Sequence, residues 1–432
     1  PILGLSQHGG MGGGGGGGMP SGGSMSRPAG GSGMSNGMGT RMEQGGGMAG
    51  PREERRRHAE ALQHGHRDLL DFDPHGNLIV RNEIVGFGAT KPGLAAVQAA
   101  GFVISRQSEL KGLDADVVVL TPPQAMSSRR ALKKLREIDP DSAYDFNHVY
   151  FEGGTDVGAA GTATIVPASR SERDGQAPIR RVGLVDGGVE PSHAALSSLS
   201  LHLHGCNDTA VPSAHGTAIA SRLVAGFNEA APAVFDVDLY VADVYCGAPT
   251  GGATDTVIQG LAWLMQENVP VINVSLVGPP NELLQRVVEM ASARGHLIVA
   301  AVGNDGPSAP PLYPAAYPGV VAVTAVDRAD KVLIEAGRGR FIAFAAPGAD
   351  IEAASLPSGY SPVRGTSFAA PIVASRLTLL LERADPIAAG RAVNELATAA
   401  VDLGRPGRDS VYGNGCVGCA TRNAAVEAAR TH

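Results

Sequence analysis

Four stretches of this 432-residue chain carry residue types that could together perform nucleophilic catalysis: VGLVDGGV with Asp186, HGTAIASRLVAG opening on His215, IVAAVGNDG with Asn304, and RGTSFAAPIVAS with Ser367. A serine hydroxyl is a weak nucleophile at neutral pH. It needs an imidazole to take its proton, a carboxylate to orient that imidazole, and donors aimed at the oxyanion that forms on the attacked carbonyl. Asp186 ends an apolar strand, where α/β sheets gather their ligands, although a helix cap or ribose contact has the same local look. His215 leads an apolar helix and, taken alone, reads as a capping or solvent-facing histidine. Asn304 ends the strand HLIVAAVG, and Asn-Asp-Gly is equally a turn signal. Ser367 opens a helix, so its backbone N–H lacks an intrahelical partner and is available to an oxyanion. Gly365, Ala369 and Ala370 leave room for a substrate backbone, and Pro371 is tolerated near a helix start. An ordinary N-cap would explain the serine alone; GTS before an apolar helix with proline four residues later is the most specific of the four patterns.

The elements around these residues must bring them together. From Arg181 to about Glu382, RVGLVD, FDVDLYVADVY, VPVINVSL, HLIVAAVG, VVAVTAV and FIAFAAPG read as strands. HGTAIASRLVAG, TDTVIQGLAWLMQEN, ELLQRVVEMASARG and TSFAAPIVASRLTLLLE read as helices, and NAAVEAAR as a terminal helix. Apolar strands alternating with helices predict an α/β fold with a largely parallel sheet flanked by helices. The acid, imidazole and serine come in that order and position five of the serine motif is Ala369, which excludes an α/β-hydrolase with its G-x-S-x-G elbow.

The front of the chain divides into four segments. Residues 1–50 are low complexity, with glycines 12–18 in one run and seven of the ten methionines (Met11, Met19, Met25, Met34, Met38, Met42 and Met48). Such a stretch buries too little apolar surface to offset its ordering entropy, so disorder is expected. Residues 51–81 open with the charge run PREERRRHAEALQHGHR, read as a solvated helix or tether. Residues 82–153 give strands and helices in the order β-α-β-β-α-β, that of a small α+β ferredoxin-like domain. Residues 154–180 are rich in Gly, Ala, Ser and Arg and read as an exposed linker, leaving 181–432 as the main domain.

Whole-chain properties exclude other classes. A net charge of −7 and a pI near 6.0 argue against a nucleic-acid partner. No run of about 18 apolar residues is present to form a transmembrane helix. Cys206, Cys246, Cys416 and Cys419 allow three disulfide connectivities if all pair; Cys206 with Cys246 flank the His motif and the strand after it, which leaves Cys416 with Cys419. His202, His204 and Cys206 form H-x-H-x-C, but with no fourth ligand a polar loop is the expectation and no metal is assigned. A single C-x-x-C lacks the second pair that zinc would need.

Taken together, the motifs resemble the subtilisin-like (subtilase) serine peptidases, with VINVSL, YPAAYPGVVAVTAVD and FAAPG also matching in the family's order, over roughly Arg181 to Arg430. The resemblance implies a subtilisin-like fold and a serine endopeptidase acting on polypeptides, with a catalytic triad of Asp186, His215 and Ser367, and Asn304 as oxyanion donor. It implies an extended substrate paired as a strand alongside the cleft, with Ser275, Leu276, Val277, Gly278, Val302 and Gly303 as substrate-binding residues and Val302 and the VGPP segment lining the first specificity pocket. No cofactor is required; calcium binding is common in the family through irregular loops, but no D-x-[DN]-x-[DN]-G loop is present here. Gly187 replaces the usual Thr or Ser after the triad Asp, Ala218 stands in HGTA for HGTH, and Val277 in SLVG for SLGG. The front domain is similar to the prodomains that assist folding and block the cleft of such enzymes, so it is expected to be an intramolecular inhibitor removed by self-processing. An extracytoplasmic, secreted setting fits both the resemblance and the even cysteine count. The alternative is a catalytically silent subtilase-like domain used as a binding or surface scaffold, which labelling of Ser367 by a fluorophosphonate would separate from an enzyme.

Overall fold

Polar residues interrupt the first long strand, and the fold absorbs them as a bulge. The computed structural model describes residues 50–153, 178–197, 199–230 and 236–419; the Gly/Met-rich segment, most of the expected linker and the terminal helix over NAAVEAAR lie outside the described residues. After helix α1 (Pro51–Gly65) and strand β1 (Leu70–Phe72), β2 runs from Leu78 to Phe87. Its register against a later strand shifts between Ile79 and Ile84. Asn82 sits within that shift at φ 57°, a left-handed value that Asn tolerates better than most residues. The boundary expected at residue 82 therefore falls inside a strand, and the sheet already begins at Leu70. Next come α2 (Lys91–Ala99), β3 (Val103–Leu110), β4 (Ala115–Thr121), α3 (Ser128–Ile138) and β5 (Ala143–His148). The strands β5, β2, β4 and β3 lie side by side and antiparallel, with β1 added against β2. This is a ferredoxin-like split βαβ arrangement. Thr90 caps α2 by accepting from Gly93 N at 3.2 Å, and Ala131, Leu132 and Leu135 of α3 share a core with Ile84, Val118 and Leu120.

A two-residue strand, β6 (Phe151–Glu152), follows. The main domain then contains β7 (Ile179–Asp186), β8 (Ser200–His204), α4 (Ala214–Ala230), β9 (Asp236–Asp243), α5 (Thr254–Gln266), β10 (Val271–Val274), β11 (Leu276–Val277), α6 (Glu282–Ala293), β12 (Leu297–Ala301), β13 (Val321–Val326) and β14 (Ile342–Pro347). A hairpin of β15 (Ala349–Ala354) and β16 (Tyr360–Arg364) precedes helices α7 (Thr366–Leu380) and α8 (Pro386–Ala399). Seven strands form one parallel sheet in the order β14-β13-β12-β10-β7-β9-β8. The architecture is α/β, as the apolar runs predict. Successive strands leave β7 first toward β9 and β8, then toward β10, β12, β13 and β14, so a topological switch point lies between β7 and β10. Crevices for ligands open at the carboxyl ends of strands at such a point.

Helices cover both faces of the sheet. On one side α4 and α7 share a core with Val182, Leu184 and Val299; α7 is buried nearly all round, which explains its lack of a polar stripe. On the other side α5 and α6 pack with Val185, Ile272 and Ile298, and the same cluster continues into Val85, Phe87, Leu110 and Val117 of the front sheet. The ferredoxin-like sheet thus lies on α5 and α6. Strand β8 corrects the reading of His202 and His204 as a polar loop: SLHLH pairs in parallel with β9 at the sheet edge, where alternation suits a half-exposed strand.

Candidate active site

Asp186 is the last residue of β7 and fully buried. Its Oδ1 lies 2.9 Å from His215 Nδ1 and also accepts from Gly187 N at 2.7 Å. His215 reaches this carboxylate because α4 starts hard against the turn after β7: a Cβ on Gly216 would meet Gly187 O at 2.2 Å. The glycine after the histidine is therefore a requirement of close backbone approach. Gly187 also has a local explanation. A side chain there would place its Cβ 2.3 Å from Ser213 Oγ, and that hydroxyl is engaged in capping α4 through Gly216 N at 2.8 Å.

Ser367 is fully buried in the first turn of α7. Gly365 precedes the helix at φ 143°, a conformation that favours glycine. Pro371, one turn on, has no N–H to offer the carbonyl four residues back, which is that of Ser367. Ser275 Oγ donates to Ser367 O instead, at 3.1 Å, so the proline in the motif and the serine of β10–β11 form one arrangement. Asn304 is tied to the same helix start, its Oδ1 accepting from Thr366 N at 3.1 Å; Thr366 Oγ1 accepts from Gly303 N at 3.1 Å. Phe368 puts its ring 5.8 Å from the His215 ring. All four candidate residues converge at the carboxyl ends of β7, β10 and β12.

The chain itself occupies this cleft. Strand β6 pairs antiparallel with β11, Glu152 opposite Leu276 and Phe151 opposite Val277. Gly153 N donates to Ser275 O at 3.0 Å and Tyr150 N to Gly252 O at 2.8 Å. The Asn304 side-chain amide donates to the carbonyl oxygen of Gly153, and a Cβ on Gly153 would lie 2.5 Å from Ser367 Oγ. With the cleft filled in this way, Ser367 Oγ donates to Ser275 O at 3.4 Å. His215 Nε2 is buried without a hydrogen-bond partner among the described residues. Three residues before Gly153, Tyr150 is fully buried with its hydroxyl donating to Pro279 O at 2.9 Å. A Cβ on Gly278 would fall 2.4 Å from the Tyr150 ring, so that glycine makes the pocket.

Electrostatics couple the bound segment to the imidazole. Burial pulls the His215 pKa down, but the charge and hydrogen bond of Asp186, with the charge of Glu152, outweigh it and raise it to about 8. A carboxylate oxygen of Glu152 lies within 4.8 Å of ligating atoms of both Asp186 and His215. Farther out, helices α5 and α6 receive polar groups from the front unit at their N-termini, where unpaired N–H groups seek acceptors. Asp255 N donates to Asn147 Oδ1 at 3.2 Å and Glu282 N to Asp145 Oδ2 at 2.8 Å. Arg106 bridges Glu83 and Asp255 at 2.7 and 2.9 Å.

The remaining sequence candidates fall into two groups. Ser275, Leu276, Val277 and Gly278 all touch the segment Tyr150–Gly153, whereas Val302 is a core residue whose N donates to Val323 O and Gly303 braces Thr366. The cysteines pair as Cys206–Cys246 and Cys416–Cys419. His202 stacks on Tyr240 and His204 on Trp263, with ring centroids 4.2 and 4.7 Å apart, so the H-x-H-x-C residues are engaged in a ladder of rings and a disulfide. Tyr150, Glu152, Gly153 and Ser213 were not singled out from the sequence. The available signal is the segment AYDFNHVYF, which leads through Glu152 into Gly153 and Gly154 ahead of the linker.

Comparison with known proteins shows the family and the fold. The subtilase family model matches residues 180–415. Subtilisin DY of Bacillus licheniformis is 31% identical over 243 residues, 54% of this chain and 86% of that protein. Subtilisin E of Bacillus subtilis (strain 168) is 28% identical over 352 residues, 77% of this chain and 88% of that protein, an alignment that reaches back beyond the family match into the front domain. Among solved structures, fervidolysin from Fervidobacterium pennivorans, described as a keratinolytic enzyme related to subtilisin, has the same fold. Its TM-score is 0.62 at 18% identity, with 78% of this chain covering 60% of that one.

Proposed function

Since the chain belongs to the subtilase family and is a subtilisin-like serine endopeptidase, we propose that Ser367 is its nucleophile, His215 the general base and acid, Asp186 the orienting carboxylate and Asn304 an oxyanion donor. Ser367 Oγ attacks the carbonyl carbon of the scissile peptide as His215 Nε2 takes its proton. Asp186, bonded to Nδ1, fixes the tautomer and stabilises the imidazolium. The oxyanion receives the Asn304 amide. The proton then passes from His215 to the leaving amine, and water, activated by the same imidazole, hydrolyses the acyl-enzyme.

The first substrate in this reading is the chain's own bond between Gly153 and Gly154, and the domain ending at Gly153 is a prodomain that stays in the cleft as an intramolecular inhibitor. The supporting observation is the Gly153 carbonyl held by the Asn304 amide beside Ser367 Oγ. An extracytoplasmic setting is supported by the two disulfides, which persist in oxidising compartments; no helix among the described residues is long and apolar enough to cross a membrane. A fluorophosphonate should label Ser367 in the cut enzyme once the front fragment has left the cleft, and leave a His215→Ala chain unlabelled. Equal labelling of both, or of neither, would count against the assignment.

A further inference from the structure

Helix α1 precedes β1 and lies outside the β-α-β-β-α-β order of the ferredoxin-like unit. Its apolar residues Ala59 and Leu62 pack with Leu70, Leu78, Val149 and Phe151, and the His58 ring meets the Phe151 ring edge-on at 5.5 Å. The helix therefore touches the strand that fills the cleft. Within the basic run of α1, Arg56 and Arg57 pair with Glu53 and Glu60 on the helix itself. Arg55 instead reaches across 250 positions of sequence to Asp305, the neighbour of Asn304. Its Nε lies 2.9 Å from Oδ1 and its Nη2 2.6 Å from Oδ2. This is a two-pronged contact, and the side chains are only 28% and 7% exposed. Glu54, Arg55 and His58 line the same cleft as Ser213, Asn304 and Asp305.

We propose that helix α1, packed on β1 and β2 at the edge of the ferredoxin-like unit, is an inhibitory strap fastened by Arg55 on Asp305 across the occupied cleft. The inference rests on the proposed reading of the front domain as a prodomain. The ferredoxin-like sheet grips α5 and α6, whereas the strap grips the loop after β12. Two attachments carried by one fragment hold each other at high effective concentration. After the bond following Gly153 is cut, the fragment that lets go at one place is returned by the other, so the strap sets how long the cut enzyme remains silent. A forked guanidinium–carboxylate pair, shielded from solvent on the carboxylate side, has the strength for such a role.

The test uses the full chain as wild type, Arg55→Gln, Arg55→Lys and, as a control for lost charge on the helix, Arg57→Gln. Cleavage is followed by mass spectrometry and hydrolysis of a fluorogenic peptide is recorded over time. The lag between completed cleavage and peptide hydrolysis is the readout, so a change in cutting rate does not enter it. Arg55→Gln is expected to shorten the lag about tenfold, the equivalent of one lost charge-assisted pair. Arg55→Lys, which keeps the charge without the fork, should give an intermediate lag, and Arg57→Gln the wild-type lag. An Arg55→Gln lag equal to wild type, or an Arg57→Gln lag shortened as much, overturns the strap and leaves the prodomain standing. A wild type with no lag at all overturns the inhibitory prodomain and the strap with it.

Discussion

The Asn304 side-chain amide donates to the carbonyl oxygen of Gly153, a residue 151 positions earlier in the chain. The molecule thereby holds one of its own peptide carbonyls where a substrate carbonyl is proposed to react. The fit is close around Gly153, whose hypothetical Cβ would meet Ser367 Oγ at 2.5 Å and Ser275 O at 3.2 Å. Gly153→Val should slow self-cleavage by about 5- to 150-fold, since forcing extra methyl groups into a packed site costs about 1–3 kcal/mol. Sampling of the intact chain over time checks this, and an unchanged rate would contradict the seating of Gly153.

The protonation state of His215 sets a pH dependence. With its pKa raised to about 8, the imidazole carries a proton at neutral pH and cannot accept that of Ser367. Self-cleavage should climb about tenfold per pH unit below about 8 and level off above it. Glu152→Gln removes one charge that holds the proton, so the midpoint should move down. The sign for stability is the reverse: a raised pKa contributes stability that is fully present below the ordinary value of 6.5 and is lost as pH rises through about 8. A midpoint that ignores Glu152→Gln in a pH–rate series would count against the coupling.

Gly187 tests whether this chain's departure from the family pattern is compensated. Gly187→Ser should destabilise the fold by about 1–3 kcal/mol through overpacking against Ser213, seen as a lower Tm. Adding Ser213→Gly should recover part of the loss by clearing the space, while giving up the cap on Gly216 N. Additive losses in the double variant would show the two positions to be independent.

The Cys206–Cys246 bridge closes a 40-residue separation that includes His215. Loop-closure entropy puts its contribution at about 4 kcal/mol. Cys206→Ser should lower the unfolding free energy by up to that amount in denaturant titration. A shift near zero would mean that the bridge does not constrain the unfolded chain.

How far these features could be read from the sequence differs by residue. Asp186, His215, Asn304 and Ser367 were legible because each stands where an apolar run meets small residues, and the parallel sheet because its strands are apolar throughout. Strand β8 was missed because SLHLH alternates polar residues at a sheet edge, where ring stacking on Tyr240 and Trp263 replaces aliphatic burial. The break at Asn82 was misread because a bulge and a loop call for the same residue. The reason for Gly187 is not local to its motif: the space beside it is filled by Ser213, which comes from the turn before α4. The contacts of Gly153 with Asn304 and of Arg55 with Asp305 join residues far apart in sequence, so no local periodicity carries them.

The most direct measurement is the mass of the fragments formed by the purified full chain beside its Ser367→Ala variant. The wild type should yield a fragment ending at Gly153 and another beginning at Gly154, and the variant should stay uncut, its rate down by about four orders of magnitude or more. A wild-type chain left intact at that bond, or the same cut in both proteins, would contradict the account.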